Sequence, residues 1–268
     1  MLVYGKPGVG KTVFGASGPR PTLFLDVDYG TLSISDLTDG VYRLELRSWT
    51  DFKDILLFLR SAFNNNPAAY RTIVVDNITE LQRVLMQSIT ENKSIPTIQD
   101  WGTVLNQMQY FVRKIRELPC NTVFVAHEGM KENQAVPALS GQIAQELPGY
   151  FDIVARYTLV TRKITNPDQT ITEEDLRYLR CHPTETAVAK DRSGKLDAAE
   201  PPNLTKLITK ATTPAAAAKP AVTPTPVAKP AVAQTATTAA VATKPAVPAT
   251  AVVARPAATA PAQPVKTV

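Results

Sequence analysis

Residues Gly5 to Thr12 read G-K-P-G-V-G-K-T and fill the pattern G-x-x-x-x-G-K-[ST] completely. Gly5, Gly8 and Gly10 allow a tight backbone turn whose N–H groups converge on phosphate oxygens. Lys11 supplies a point charge for the β- and γ-phosphates, and the Thr12 hydroxyl suits Mg²⁺. The whole segment Gly5, Lys6, Pro7, Gly8, Val9, Gly10, Lys11, Thr12 and Val13 is therefore the candidate nucleotide cradle. Leu2-Val3-Tyr4 before it reads as a short strand. Val13-Phe14 after it reads as the inward face of a helix starting near Lys11, whose dipole would add positive potential under the anion.

Outward from this loop, apolar runs bounded by turn residues alternate with amphipathic stretches. That pattern predicts an α/β domain with a mainly parallel central sheet. Buried strands are expected at 22–25, 71–75 and 122–126, with further strands at 41–46, 153–160 and 178–181. Helices are expected over 51–63 with Thr50 as its cap, 78–90 and 100–118, with a last helical turn or two at 203–210. The stretch Gly129 to Gly141 is polar and carries one lysine, so it reads as a loop.

Composition divides the chain near residue 210. From Ala211 to Val268 the sequence is almost entirely Ala, Pro, Thr, Val and Lys, with ten prolines and no aromatic or acidic residue. Proline costs about 3 kcal/mol inside a helix, so this tail is expected to be disordered and extended. It supplies five of the 29 basic residues and none of the 24 acidic ones, which leaves residues 1–210 neutral and places the net +5 in the tail. A core that coats nucleic acid by overall charge is thus excluded; binding there would need a local patch. Two cysteines, Cys120 and Cys181, give neither a disulfide framework nor metal spacing. The loop occupies the place of a leader peptide and no apolar run approaches 18 residues. A cytoplasmic protein without membrane contact is expected.

Chemistry-bearing residues cluster at predicted strand ends. Asp76 closes Ile73-Val74-Val75 and is the candidate second metal residue beside Thr12. Asp26 and Asp28 follow the strand at 22–25, where ligands of parallel sheets bind; Asp28 is the candidate general base. His127 and Glu128 close the fourth strand, within reach of a γ-phosphate. Lys190 and Arg192 alternate at the end of an apparent strand, so both fall on one face and suit a neighbour's γ-phosphate. No Arg-rich lid marks a small-molecule kinase.

Taken in order, GKPGVGKT, LFLDVDYGT, TIVVDNITEL, VFVAHE, PALSG with LPGYFDIVARY, and AKDRSGKL resemble the phage-encoded, core-only RecA-like ATPases. That group includes the ATP-dependent single-strand annealing proteins of phage recombination. The resemblance spans about residues 1–205 and implies a RecA-like P-loop fold, ATP with Mg²⁺, and a location in the host cytoplasm. By it, Lys11 and Thr12 take phosphate and metal, Asp76 is the second metal acid, and His127 falls at the γ-phosphate sensor. Asp28 stands where the family carries a glutamate, one methylene longer. The segment 129–141 falls at a loop that binds single-stranded DNA. Lys190 and Arg192 fall at a pair that reaches a neighbour's ATP, implying a homo-oligomeric filament or ring. The rival expectation is an ATP-dependent regulatory or assembly switch that binds no DNA.

Overall fold

A computed structural model describes residues 1–214 apart from 38, 92, 94 and 166–169. The expected tail from residue 215 onward lies outside the described residues.

Ten strands and six α-helices follow one another in this range. The strands are β1 (Leu2–Gly5), β2 (Thr22–Asp26), β3 (Val41–Glu45), β4 (Thr72–Asp76), β5 (Asn121–Lys131), β6 (Gln134–Pro137), β7 (Ile153–Thr165), β8 (Ile171–Arg180), β9 (Lys190–Asp191) and β10 (Ala199–Glu200). The helices are α1 (Lys11–Ala16), α2 (Trp49–Asn65), α3 (Ile78–Thr90), α4 (Ile98–Arg116), α5 (Ile143–Glu146) and α6 (Leu204–Thr212). A 3-10 turn covers Gly30–Ile34.

The sheet order is β10-β8-β7-β1-β5-β4-β2-β3, with β6 on β5 and β9 on β7. From β7 to β3 every pairing along this path is parallel. The carboxyl ends of β1, β5, β4 and β2 therefore share one edge. The register sets Gly5 level with His127, and Asp26 level with Asp76.

Both sheet faces are covered, which explains the continuous apolar runs. Successive strand residues alternate between two cores. Leu2, Tyr4, Leu23, Leu25, Ile73, Val75 and Phe124 pack with α2, α3 and α4. Val3, Phe24, Val74, Val123 and Val125 pack with Phe14 of α1 and with Leu204 and Leu207 of α6.

Several local expectations are corrected. Helix α2 is capped by Ser48, not Thr50, through a reciprocal capping box with Asp51. Segment 129–141 is largely a hairpin rather than a loop: β5 continues past His127 to pair with β6. Its turn places Glu132 and Asn133 at φ 48 and 68, the left-handed values that a tight hairpin turn requires. Strands β7 and β8 are longer than predicted and pair from Arg156↔Arg180 to Thr165↔Ile171. Val13 is half exposed, whereas Phe14 is buried; only the second of the pair faces the core.

Candidate active site

The loop leaves β1 at Gly5 and enters α1 at Lys11. Its glycines are needed for different reasons. A Cβ on Gly5 would stand 2.6 Å from the Tyr157 carbonyl oxygen of β7, so backbone packing demands glycine there. Gly8 and Gly10 hold φ of 77° and 106°, which only glycine adopts freely. Around Gly8 there is open space, while Gly10 lies against the Tyr157 ring, which meets Phe14 edge-on. Gly5→Ala is accordingly expected to force β1 and β7 apart and lower the thermal midpoint by several degrees, an effect of about 1–3 kcal/mol for an overpacked site. A melting curve with the variant at the wild-type midpoint would refute this account of Gly5.

Helix α1 has six residues, so its macrodipole is small. What the loop does offer is local: Gly10 caps the helix without a side-chain acceptor, leaving the first-turn N–H groups for another partner.

Lys11 is 8% exposed, and its Nζ donates to the Gly5 and Lys6 carbonyls at 2.9 and 2.8 Å. Burial lowers its pKa, against the pull of Asp76, Asp28 and Glu128. Thr12 Oγ1 donates to Asp76 Oδ2 at 2.7 Å, tying the loop to the end of β4 across the intervening β5. Asp76 is 4% exposed. Burial pushes its carboxyl up to about 6, with Asp28 and Asp26 adding repulsion and the Thr12 hydroxyl and Lys11 opposing.

Asn77 joins the remaining candidates. The peptide before it is cis. Its Oδ1 accepts the Glu80 N–H at 2.8 Å, which caps α3. Its Nδ2 donates to Asp28 Oδ2 and lies 3.2 Å from His127 Nε2. An amide nitrogen only donates, so Nε2 accepts and the neutral ring carries its proton on Nδ1. That Nδ1 is buried without a partner among the described residues. Burial and Lys11 lower the His127 pKa, favouring the neutral ring. Asp28 Oδ1 accepts the Gly30 N–H at 3.1 Å.

Asp26 has another place. It is fully buried, accepts from Thr31 Oγ1 at 2.8 Å, and lies 3.9 and 4.0 Å from the Arg43 and Arg47 guanidinium groups. It anchors the end of β2 and leaves Asp28 as the carboxylate facing Asn77.

Glu128 forms a two-pronged ion pair with Arg156 Nε and Nη2, both at 2.8 Å. Lys190 and Arg192 do not join the cluster within one chain. Lys190 is level with Val154 of β7, which is level with Leu2, at the opposite end of β1 from the loop. Its Nζ donates to the Pro148 and Gly149 carbonyls at 3.1 and 3.4 Å. Arg192 lies just beyond β9 and pairs with Asp152 at 2.7 Å.

The arrangement fits a metal-bound nucleoside triphosphate. Mg²⁺ keeps several waters and takes one or two carboxylates plus substrate phosphates, so one hydroxyl and one acid suffice. Among the described residues no group of three or more His, Cys, Asp or Glu forms a self-sufficient metal cage. Sequence reasoning missed Tyr157, Thr79, which accepts the His127 N–H at 3.0 Å, and the bridging role of Asn77. The capping signal of Asn77 is legible in the sequence; its contacts across the sheet are not.

A phosphate-binding loop at the end of one strand, facing a buried acid two strands away, defines a P-loop nucleotide-binding domain. The chain belongs to the AAA domain family, whose model matches residues 1–193. It is also 24% identical over 134 residues to the SPbeta prophage-derived uncharacterized protein YorG of Bacillus subtilis (strain 168). That match covers 47% of this chain and 40% of the relative, so the chain spans less than half the length of the curated relative. Among the described residues no helix is long and apolar enough to cross a membrane.

Proposed function

We propose that the chain is a Mg²⁺-dependent ATPase acting on single-stranded DNA in phage recombination or annealing. The observation that carries the ATPase reading is the Thr12–Asp76 hydrogen bond, which places a hydroxyl and a buried acid together beside Lys11. In this reading the ATPase domain, expected over 1–210, runs on to the end of α6 at Thr212, and the rest of the 211–268 segment is a tail, in a cytoplasmic, phage-associated protein.

Bound Mg²⁺ would supply charge neutralisation at the phosphates, held by Thr12 and Asp76. Lys11 exchanges its two loop carbonyls for phosphate oxygens, and the uncapped N–H groups after Gly10 take the rest. Asp28 accepts a proton from the attacking water. Each of its oxygens holds one hydrogen bond, from the Gly30 N–H and the Asn77 amide, and keeps a lone pair for that proton. His127 reads the γ-phosphate position through the same amide and passes it to β5, whose continuation forms the hairpin with β6. Lys190 and Arg192, remote from their own loop, complete a neighbour's site in a filament or ring.

The prophage origin of the relative and the hairpin leading directly from His127 support the DNA reading. A second reading, an ATP-driven switch without DNA, is favoured by one observation: residues 129–141 carry no aromatic residue and Lys131 as their sole cation. ATP turnover measured with and without single-stranded DNA, over a range of protein concentration, separates them. Stimulation by DNA and a rate per subunit that rises with concentration are expected, with both lost in Lys11→Ala. Turnover indifferent to DNA would favour the switch, and no turnover at any concentration would refute the ATPase.

A further inference from the structure

Three residues, Val27, Asp28 and Tyr29, join the end of β2 to the 3-10 turn at Gly30–Ile34. Both flanks of this short turn are pinned. The Val27 N–H donates to the Asp76 carbonyl at 2.8 Å. On the other side Thr31, 3% exposed, donates to Asp26 Oδ2 at 2.8 Å and accepts from Arg43 Nη1 at 2.7 Å. Between them Tyr29 stands at φ 61, a left-handed value that a residue with a Cβ adopts only at a cost. Tyr29 is 68% exposed, so burial of its ring is not what holds it there.

Arg47 supplies the hold. Its guanidinium carbon lies 3.4 Å from the centroid of the Tyr29 ring, well inside the roughly 6 Å reach of a cation–π contact. The arginine is itself fixed, just after β3 and just before the Ser48 cap of α2, with its backbone N–H on Asp51 Oδ2 at 2.7 Å. Its Nη1 donates to the Asp26 carbonyl at 2.8 Å. Its Nε and Nη2 are buried with no hydrogen-bond partner among the described residues, and so is Asp26 Oδ1. Nη2 and Asp26 Oδ2 stand 4.0 Å apart. A two-pronged arginine–carboxylate bond, the strongest this pair could make, is therefore left unmade on both sides. An arginine whose role was to neutralise Asp26 would close that gap. This one is placed for the ring instead.

We infer that Arg47 and Tyr29 are positioning residues for the Asp28 carboxylate. The inference rests on the proposed reading in which Asp28 takes the proton of the attacking water. Aspartate has a short arm, so its carboxylate goes where the turn carries it. Asp28 Oδ1 accepts the N–H of Gly30, on the far side of Tyr29, at 3.1 Å. With Tyr29 left-handed that N–H faces back to Asp28. An extended Tyr29 would swing it away and leave the carboxylate on the Asn77 amide alone. The stacked guanidinium holds the turn in the first arrangement, through the backbone and without contact to the nucleotide.

The test compares steady-state ATP turnover, affinity for a non-hydrolysable ATP analogue with Mg²⁺, and thermal midpoint. Glycine takes φ 61 freely, so Tyr29→Gly removes the ring without forcing the fold. It is expected to lower kcat about tenfold or more, the scale of a slightly misplaced catalytic group, with analogue affinity and midpoint unchanged. Arg47→Met should lower kcat alike. Tyr29→Phe keeps the ring face and should recover the rate that Tyr29→Gly loses. Gly30→Ala reaches the same carboxylate from another side, since its Cβ would stand 2.8 Å from Asp28 Oδ1, and should also lower kcat. Tyr29→Gly at wild-type turnover overturns the inference alone. So does a loss shared equally by kcat and analogue affinity, which would make the ring a binding element, or a Tyr29→Phe as slow as Tyr29→Gly. Asp28→Asn with full turnover, or a wild-type chain without turnover, overturns the base reading and the inference together.

Discussion

Asp76→Asn is expected to make the ligand-free protein more stable while abolishing ATP turnover. Burial raises the folded-state pKa of Asp76 to about 6 from an ordinary 3.8. The folded protein therefore binds this proton more tightly than the unfolded chain. A carboxyl group raised in this way contributes most favourably below pH 4, and that contribution is lost as pH rises through about 6. At neutral pH the ionised group costs about 3 kcal/mol, because each tenfold gain in proton affinity on folding is worth about 1.4 kcal/mol. Asparagine keeps an oxygen to accept from Thr12 and carries no charge to desolvate. The thermal midpoint at pH 7.5 should thus rise by about 6–12 °C, at roughly 2–4 °C per kcal/mol for a domain of this size. The variant-minus-wild-type difference should be near zero below pH 4 and complete above pH 6. That difference isolates Asp76 from carboxylates held low, such as Asp100, whose pKa falls to about 2 beside Lys93. Turnover should fall to background, since a neutral amide cannot serve Mg²⁺ as a carboxylate does. A flat pH difference would mean that Asp76 is not the strained acid of this site.

The second large effect is at Arg156. Its guanidinium covers both oxygens of Glu128, whose side chain is 5% exposed. Arg156→Ala leaves a buried carboxylate without its partner and is expected to cost about 3–5 kcal/mol. Hydrogen bonding and charge from Glu128 also hold the arginine above its ordinary range, so the arginine stays charged at any working pH. The double variant Arg156→Met, Glu128→Gln removes both charges and should recover most of the loss, because the penalty lies in the orphaned charge rather than in the missing bond. Urea denaturation of the two variants and the wild type checks this. Equal destabilisation of single and double variants would show that Arg156 acts through packing instead.

These two residues mark where reading from sequence stops. The loop is legible because eight consecutive residues define its chemistry, and Asp76 because it ends an apolar run that can only be a buried strand. Helix α3 is legible to its actual bounds, since Asn77 and the spacing of Leu81 and Leu85 are local signals. The hairpin at 129–141 escapes such reading because its strands are polar and its turn carries Glu132-Asn133 in place of glycine. Sequence places Lys190 and Arg192 at a strand end but not at which end of the domain; that follows from antiparallel pairing of β9 with β7.

By itself the sequence determined the kind of domain: a phosphate loop, a strand-end acid and alternating elements, all written in contiguous residues and their periodicity. Tertiary structure alone decided which strand ends converge. Placing β5 between β1 and β4 brings Lys11, Asp76, Asn77 and His127 together. Pairing β7 with β1 sets Tyr157 behind the loop and makes Gly5 obligatory. The physical reason is that sheet order is a choice among long-range hydrogen-bonded pairings of similar apolar strands. No local pattern states that choice; it is settled only when both faces of the sheet are buried at once.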